Sequence, residues 1–221
     1  MTRWKGDGKS HGFPNRFLRR AGLYIVAAEP VHTVAAPAPV VKPDTVRPLG
    51  PVDAAPLKAL VERFSERMWV QEDERKENDF FCFHHTRHVV LRFTRGNRDP
   101  RDHYASPAWD VFAPVLLPIM QRVIEPYGFE KPGFPKAMFA RLEAGHEIDQ
   151  HVDGAGSNLL THKIHVPVVT NPDALFYVNG EPFHLEVGQA YEVNNVAPHA
   201  VVNRGTEDRI HFIFEVFETA A

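Results

Sequence analysis

His151-Val-Asp153, followed 46 residues later by His199, is the set of residue types in this sequence that most directly offers chemistry. Two imidazoles and one carboxylate form the facial triad that holds non-haem Fe(II) and leaves three coordination positions open. Zinc more usually takes three or four protein ligands in tetrahedral geometry. The tripeptide alone carries little weight. With 13 histidines and 12 aspartates among 221 residues, about 0.7 His-x-Asp tripeptides arise by chance, and His184-Leu-Glu186 repeats the pattern with a glutamate. Position adds the weight. Residues i and i+2 of a strand face the same side, so His151 and Asp153 point together. Asn194-Asn195 and Pro198 precede His199, and Arg209 follows ten residues after it, opening the last apolar strand. The alternative is a set of hydrogen-bonded residues at a barrel mouth.

Composition narrows the classes. The single cysteine, Cys82, rules out an internal disulfide and a Cys₂His₂ or Cys₄ zinc site. It fits a reducing, cytoplasmic setting. A net charge of −3 argues against a nucleic-acid binder. No run approaches 18 apolar residues, so no membrane span is expected. Oligomeric state is not legible.

The elements that must position these residues read in three parts. Residues 1–50 are expected to be a flexible or extended tail. Their start is basic and acid-poor, and Val34–Pro51 is rich in Ala, Val and Pro, which favours an extended strand or linker over a helix. Residues 51–221 are expected to form the domain, beginning with helices. Asp53 is placed to cap a helix carrying Leu57, Leu60, Val61 and Phe64 at helical spacing. Phe80–Phe83 and His88–Phe93 read as strands. His84, His85 and His88 do not read as a metal cluster, because neighbouring strand residues point to opposite faces. Trp109–Tyr127 reads as an amphipathic helix with Val111, Phe112, Val115, Leu116, Met120 and Val123 inward, weakened by Pro114 and Pro118.

From Ala137 onward, eight short strands alternate with turn signals. The strongest is Asn179-Gly180, a hairpin signature. The pattern predicts a mainly β fold with flanking helices: a double-stranded β-helix, or jelly roll, of cupin type. On the last strand Ile210, Phe212, Phe214 and Val216 share one face, and Arg209, His211 and Ile213 the other. Arg209 is either a bidentate carboxylate clamp beside the metal or half of a surface ion pair with Glu207 or Asp208. Lys163 and His165 share a face of Thr161–Pro167 and either hold a second carboxylate or, for Lys163, face solvent. His211 reads equally as a supporting or a core histidine. His146 and His162 read as structural or exposed.

The stretch Phe139–Phe217 resembles the aspartyl/asparaginyl β-hydroxylase family of iron(II)/2-oxoglutarate oxygenases. The residues that carry the likeness are Arg141-Leu-Glu-Ala-Gly-His146, His151-Val-Asp153, the Lys163-Ile-His165 strand, His199 and Arg209, within a similarity spanning roughly residues 87–217. The spacing is similar to that of the bacterial amino-acid (proline) hydroxylases of the group. The mammalian peptidyl-aspartate hydroxylases lack the metal carboxylate, whereas this chain has Asp153. The resemblance implies Fe(II) on His151, Asp153 and His199, with 2-oxoglutarate and O₂ as cosubstrates and succinate and CO₂ as products. It implies that Arg209 binds the distal carboxylate of 2-oxoglutarate, and that Lys163 and His165 lie at its C1 carboxylate end. The family often has Arg where Lys163 stands, and a serine of the mammalian members aligns near Ala140. The implied substrate is a free amino acid or an amino-acid side chain in a peptide, with Asp73–His103 and Gly154–Thr161 as candidate lids. The competing class is a cupin-like metal- or small-ligand-binding protein without oxygenase activity; it has no need for Arg209.

Overall fold

Alternation along the strands builds this fold. A computed structural model describes residues 38–77, 81–154 and 156–220. The expected basic leader lies outside the described residues. Strand β1 (Val46–Pro51) leads into helices α1 (Ala55–Val61) and α2 (Glu66–Asp73), then β2 (Thr86–Thr94), β3 (His103–Ala105) and helix α3 (Pro107–Val123). The C-terminal half is β4 (Pro132–Leu142), β5 (Glu147–His151), the one-turn helix α4 (Ser157–Leu160), β6 (His162–Val169), β7 (Ala174–Val178), β8 (Glu181–Phe183), β9 (Gln189–Val193), β10 (His199–Asn203) and β11 (Arg209–Glu218).

The strands pair into a seven-stranded sheet, β1-β9-β6-β11-β4-β2-β3, and a four-stranded sheet, β5-β10-β7-β8. All pairings are antiparallel. This is the expected jelly roll. Asn179 and Gly180 both take positive φ, 53° and 83°, between the paired Val178 and Glu181, as a type I′ hairpin requires. Strand β1 falls within the residues expected as an extended tail.

The outer face of the large sheet carries Phe139, Ile164, Val166, Phe212 and Phe214 against Leu57, Trp69, Leu116 and Met120 of the helices. Phe139, Phe212 and Phe214 are wholly buried, and truncating any of them should cost about 3–5 kcal/mol. Because the side-chain period is two, the residues between them (Lys136, Met138, Ala140, Lys163, His165, Arg209, His211 and Glu215) turn to the barrel interior.

The helical segment differs from expectation in three places. The first helix stops at Val61, and a second, α2, begins after Ser65, whose hydroxyl accepts from Met68 N at 3.2 Å. Asp53 still accepts from Ala55 N at 3.0 Å. Val111 is exposed, not inward. The buried line of α3 is Trp109, Leu116, Met120 and Val123, and Val111, two residues past Trp109, falls about 200° round, on the opposite face. Phe81–Phe83 form a 3₁₀ turn instead of a strand; Phe80 lies outside the described residues.

Candidate metal centre and cosubstrate pocket

His151 closes β5 and His199 opens β10, and the two stand directly opposite each other across the strand pair. Their rings lie 4.2 Å apart, centroid to centroid, tilted by 52°. Each turns Nδ1 to a backbone carbonyl, His151 to Asp149 O at 2.8 Å and His199 to Ala197 O at 2.9 Å. A ring nitrogen facing a carbonyl carries the proton, so each Nε2 keeps its lone pair. Both lone pairs converge on Asp153 Oδ1, at 3.8 Å from His151 and 3.9 Å from His199. An ion with bonds of about 2.1 Å needs cis ligands about 3 Å apart, so each histidine needs to approach Asp153 by under about 1 Å to hold it. The donor set, two neutral imidazoles and one carboxylate with no thiolate, fits Fe(II).

Electrostatics support the same states. Burial drives His199 down to about 4 against the pull of Asp153, keeping it neutral at neutral pH. Burial opposes ionisation of Asp153, but Lys163 and His199 outweigh it and hold the carboxyl far below its ordinary range. Asp153 Oδ2 accepts from Lys163 Nζ and, at 2.9 Å, from Asn195 Nδ2.

These groups line a cavity of about 490 Å³ that also reaches Arg209, His165, Phe83 and Phe176. Arg209 is 4% exposed. No carboxylate pairs with it among the described residues, and its nearest polar partner is His211 Nδ1, at 2.7 Å from NH2. Asp208 is occupied elsewhere, accepting from Ala144 N and lying 3.6 Å from Arg141 Nε. Glu207 is exposed. The surface ion-pair reading of Arg209 therefore fails. Burial without an anion pulls the guanidinium below its usual value, an expensive state that a carboxylate ligand relieves.

His165 is buried and neutral, held far below its ordinary pKa by burial and by Arg209. Its Nδ1 lies 3.2 Å from His211 Nδ1, and its ring meets the edge of Phe176, which stacks on His199. His211 accepts from Arg209 through Nδ1, so its proton sits on Nε2, which is buried without a partner. Lys163 is not a solvent-facing lysine; its ammonium meets Asp153. The structure thus brings all six expected site residues to one cavity.

Sequence reading missed several participants. Lys136 Nζ donates to Glu215 Oε1 (3.0 Å), Asn97 Oδ1 (2.6 Å) and Asn158 Oδ1 (3.1 Å). The alternation that placed Arg209, His211 and Ile213 on one face also reaches Glu215, so this much was readable. Ser157 Oγ donates to the same Asn97 oxygen at 2.7 Å, which joins the two candidate lid segments. His88 lines the cavity, with Nδ1 3.2 Å from Asp73 Oδ1. It stands behind Phe83, whose ring meets the edge of His151. His84 and His85 do not join His88 in one site. His85 instead stacks on His146 at 3.7 Å, with Glu143 3.9 and 4.0 Å away. His85, Glu143 and His146 thus form a second group of metal-ligating side chains, their ligand atoms within 4.8 Å of one another, apart from the His151, Asp153 and His199 set.

An antiparallel jelly roll with two histidines and a carboxylate converging in its mouth defines the class: a jelly-roll protein with a candidate metal centre. The sequence model of the family "Aspartyl/Asparaginyl beta-hydroxylase" matches residues 104–219, more than half of the chain, and the protein belongs to that family. It is one of 2-oxoglutarate-dependent dioxygenases, so the chain is a hydroxylase of that kind and not the cupin-like binding protein weighed against it. Among solved structures, the viral collagen prolyl hydroxylase of Paramecium Bursaria Chlorella virus-1, in its 2OG complex, shares the fold: TM-score 0.50, 8% identity, covering 78% of this chain and 95% of that one. An oxidoreductase of the 2OG-Fe(II) oxygenase family from Burkholderia pseudomallei aligns at TM-score 0.47 and 10% identity over 83% and 95% of the two chains. A cupin domain of Bordetella pertussis Tohama I aligns at 0.30 and 20% over 39% and 82%. No curated protein sequence matches the chain.

Proposed function

We propose that the protein hydroxylates a free amino acid or an amino-acid side chain in a peptide, with Fe(II) on His151, Asp153 and His199 and with 2-oxoglutarate and O₂ as cosubstrates. The single observation that carries this reading is Arg209: a buried cation with no carboxylate of its own, in the same cavity as two converging imidazoles and a carboxylate. Bound there, iron and 2-oxoglutarate supply O₂-dependent C–H hydroxylation, with succinate and CO₂ as co-products. The chain's own residues do the rest. His151 and His199 present fixed lone pairs, because their Nδ1 protons are held by the carbonyls of Asp149 and Ala197. Lys163 and Asn195 keep Asp153 ionised and leave Oδ1 toward the imidazoles. Arg209 takes the distal carboxylate of 2-oxoglutarate, and His165 with Lys163 stands at its other end. Phe83, Ile148 and Phe176 wall the cavity with apolar surface and exclude water. No helix among the described residues is long and apolar enough to cross a membrane. The free Cys82 fits the reducing cytoplasm, where we place the protein.

The test is a succinate-release screen with Fe(II) and 2-oxoglutarate against free amino acids and short peptides. Stimulation by one class names the substrate. Absence of any 2-oxoglutarate turnover, with or without candidates, would overturn the reading.

A further inference from the structure

Residues 38–45 precede the first strand, yet they reach the candidate metal centre. Val40 N donates to Leu159 O at 2.9 Å, and Asn194 N donates to Thr45 O at 2.9 Å. These bonds tie the segment to α4 at one end and to the residue after β9 at the other. Between them Lys42 turns inward. Its ammonium donates to Asn195 Oδ1 at 2.7 Å and to the carbonyl of Thr161. Asn195 is wholly buried. Its other amide atom, Nδ2, donates to Asp153 Oδ2 at 2.9 Å, and its backbone carbonyl accepts from Asp153 N at 2.9 Å.

We propose that Lys42 is a positioning residue for Asp153, acting through the side chain of Asn195. This rests on the reading of Asp153 as a metal ligand. The two ends of an amide have nearly the same shape and differ only in donor and acceptor character. An ammonium can only donate. By occupying Oδ1, Lys42 settles which end of Asn195 faces the carboxylate. With the amide reversed, an oxygen would oppose Asp153 Oδ2 in a dry site, and the carboxylate would lose one of its two neutral-or-charged donors. With it as found, Oδ2 is engaged by Asn195 and Lys163, and Oδ1 is presented to His151 and His199. A lysine more than 100 positions upstream of Asp153 thereby helps to aim a metal ligand.

The experiment is anaerobic titration of the full-length apoprotein with Co(II), which reports the site by its visible bands without turnover. Melting temperatures are measured alongside. Replacing partners of this kind costs 10–100-fold in metal affinity, so Lys42→Met is expected to weaken Co(II) binding about tenfold. Asn195→Ala is expected to weaken it at least as much. The double variant should be no worse than Asn195→Ala, because the lysine acts through the amide. A lysine that merely steadied the fold would lower the melting temperature and add its loss to that of Asn195→Ala; that result overturns the proposal. If Lys42→Met does not fold, Lys42→Gln retains a neutral donor to Asn195 Oδ1 and is expected to stay within about threefold of the wild type; a loss in that variant as large as that of Asn195→Ala overturns the proposal equally. His151→Ala separates the two levels of the argument. If it binds Co(II) like the wild type, the metal-site reading itself falls. If it loses Co(II) while Lys42→Met keeps it within twofold, only the relay falls.

Discussion

Arg209 and His211 stand two residues apart on one strand and are joined side chain to side chain, guanidinium NH2 to imidazole Nδ1 at 2.7 Å. A neutral ring thus occupies the place where a buried arginine ordinarily finds a carboxylate. Arg209→Ala should raise the half-saturating 2-oxoglutarate concentration about 10- to 100-fold, read from succinate release. Arg209→Met should also raise the melting temperature of the ligand-free protein, because it removes an unpaired buried charge. An unchanged 2-oxoglutarate requirement would remove Arg209 from the cosubstrate site.

His151 and His199 meet across β5 and β10, and each supplies one of the two imidazoles of the candidate site. His151→Ala and His199→Ala should each abolish succinate release, including the release seen without substrate. They should also abolish the visible band expected when Fe(II) and 2-oxoglutarate are added anaerobically. Full uncoupled turnover in either variant would mean that the triad is misassigned.

Gly156 sits at φ 90°, and a Cβ there would lie 2.1 Å from Asn97 O. Gly156→Ala therefore meets both backbone strain and a clash with main chain. It should cost about 1–3 kcal/mol and part the Ser157–Asn97–Lys136 junction. Chemical denaturation gives the cost. Hydrogen exchange should quicken at residues 95–99 and 156–160 and leave the core of the large sheet unchanged.

Asp73 ties α2 to β2, accepting from His88 N at 2.9 Å and from Lys76 Nζ at 2.8 Å. Burial alone would raise its pKa, but His88 and Lys76 pull it down to about 2 from 3.8. The folded state therefore holds the proton less tightly than the unfolded chain. The resulting stability is fully present above pH ~4 and is lost as pH falls toward ~2. It amounts to about 2 kcal/mol. Asp73→Asn should be less stable at pH 7 by about that amount, and urea midpoints should show a flatter pH dependence between ~4 and ~2 than in the wild type.

Much of the fold is legible because one physical rule, the two-residue period of a strand, acts locally. Phe212 and Phe214 facing the helices while Arg209 and His211 face the cavity follows from neighbours on one strand. So does the Asn179-Gly180 hairpin, whose two positive φ angles need residues that tolerate them. The parts that were not legible depend on contacts between distant segments. Nothing near Lys42 in sequence says that Asn195 will stand beside it. Nothing near Asp73 says that His88 will complete its hydrogen bonds. Val111 was misplaced because a helix that is apolar over most of its circumference gives periodicity little to choose between. The break after Val61 followed from Ser65, a capping residue inside an otherwise continuous helical pattern.

Strand β5 is the outermost strand of the small sheet and is bonded to β10 alone, with an irregularity between His199 and Val201. Its last residue, His151, faces the first residue of β10, His199. An ion shared by those two side chains would add a clasp at the end of a strand that is paired on one side only. Loss of iron would then do more than stop turnover: the strand end and the loop after it would open to proteases, so iron supply would set the lifetime of the protein as well as its activity.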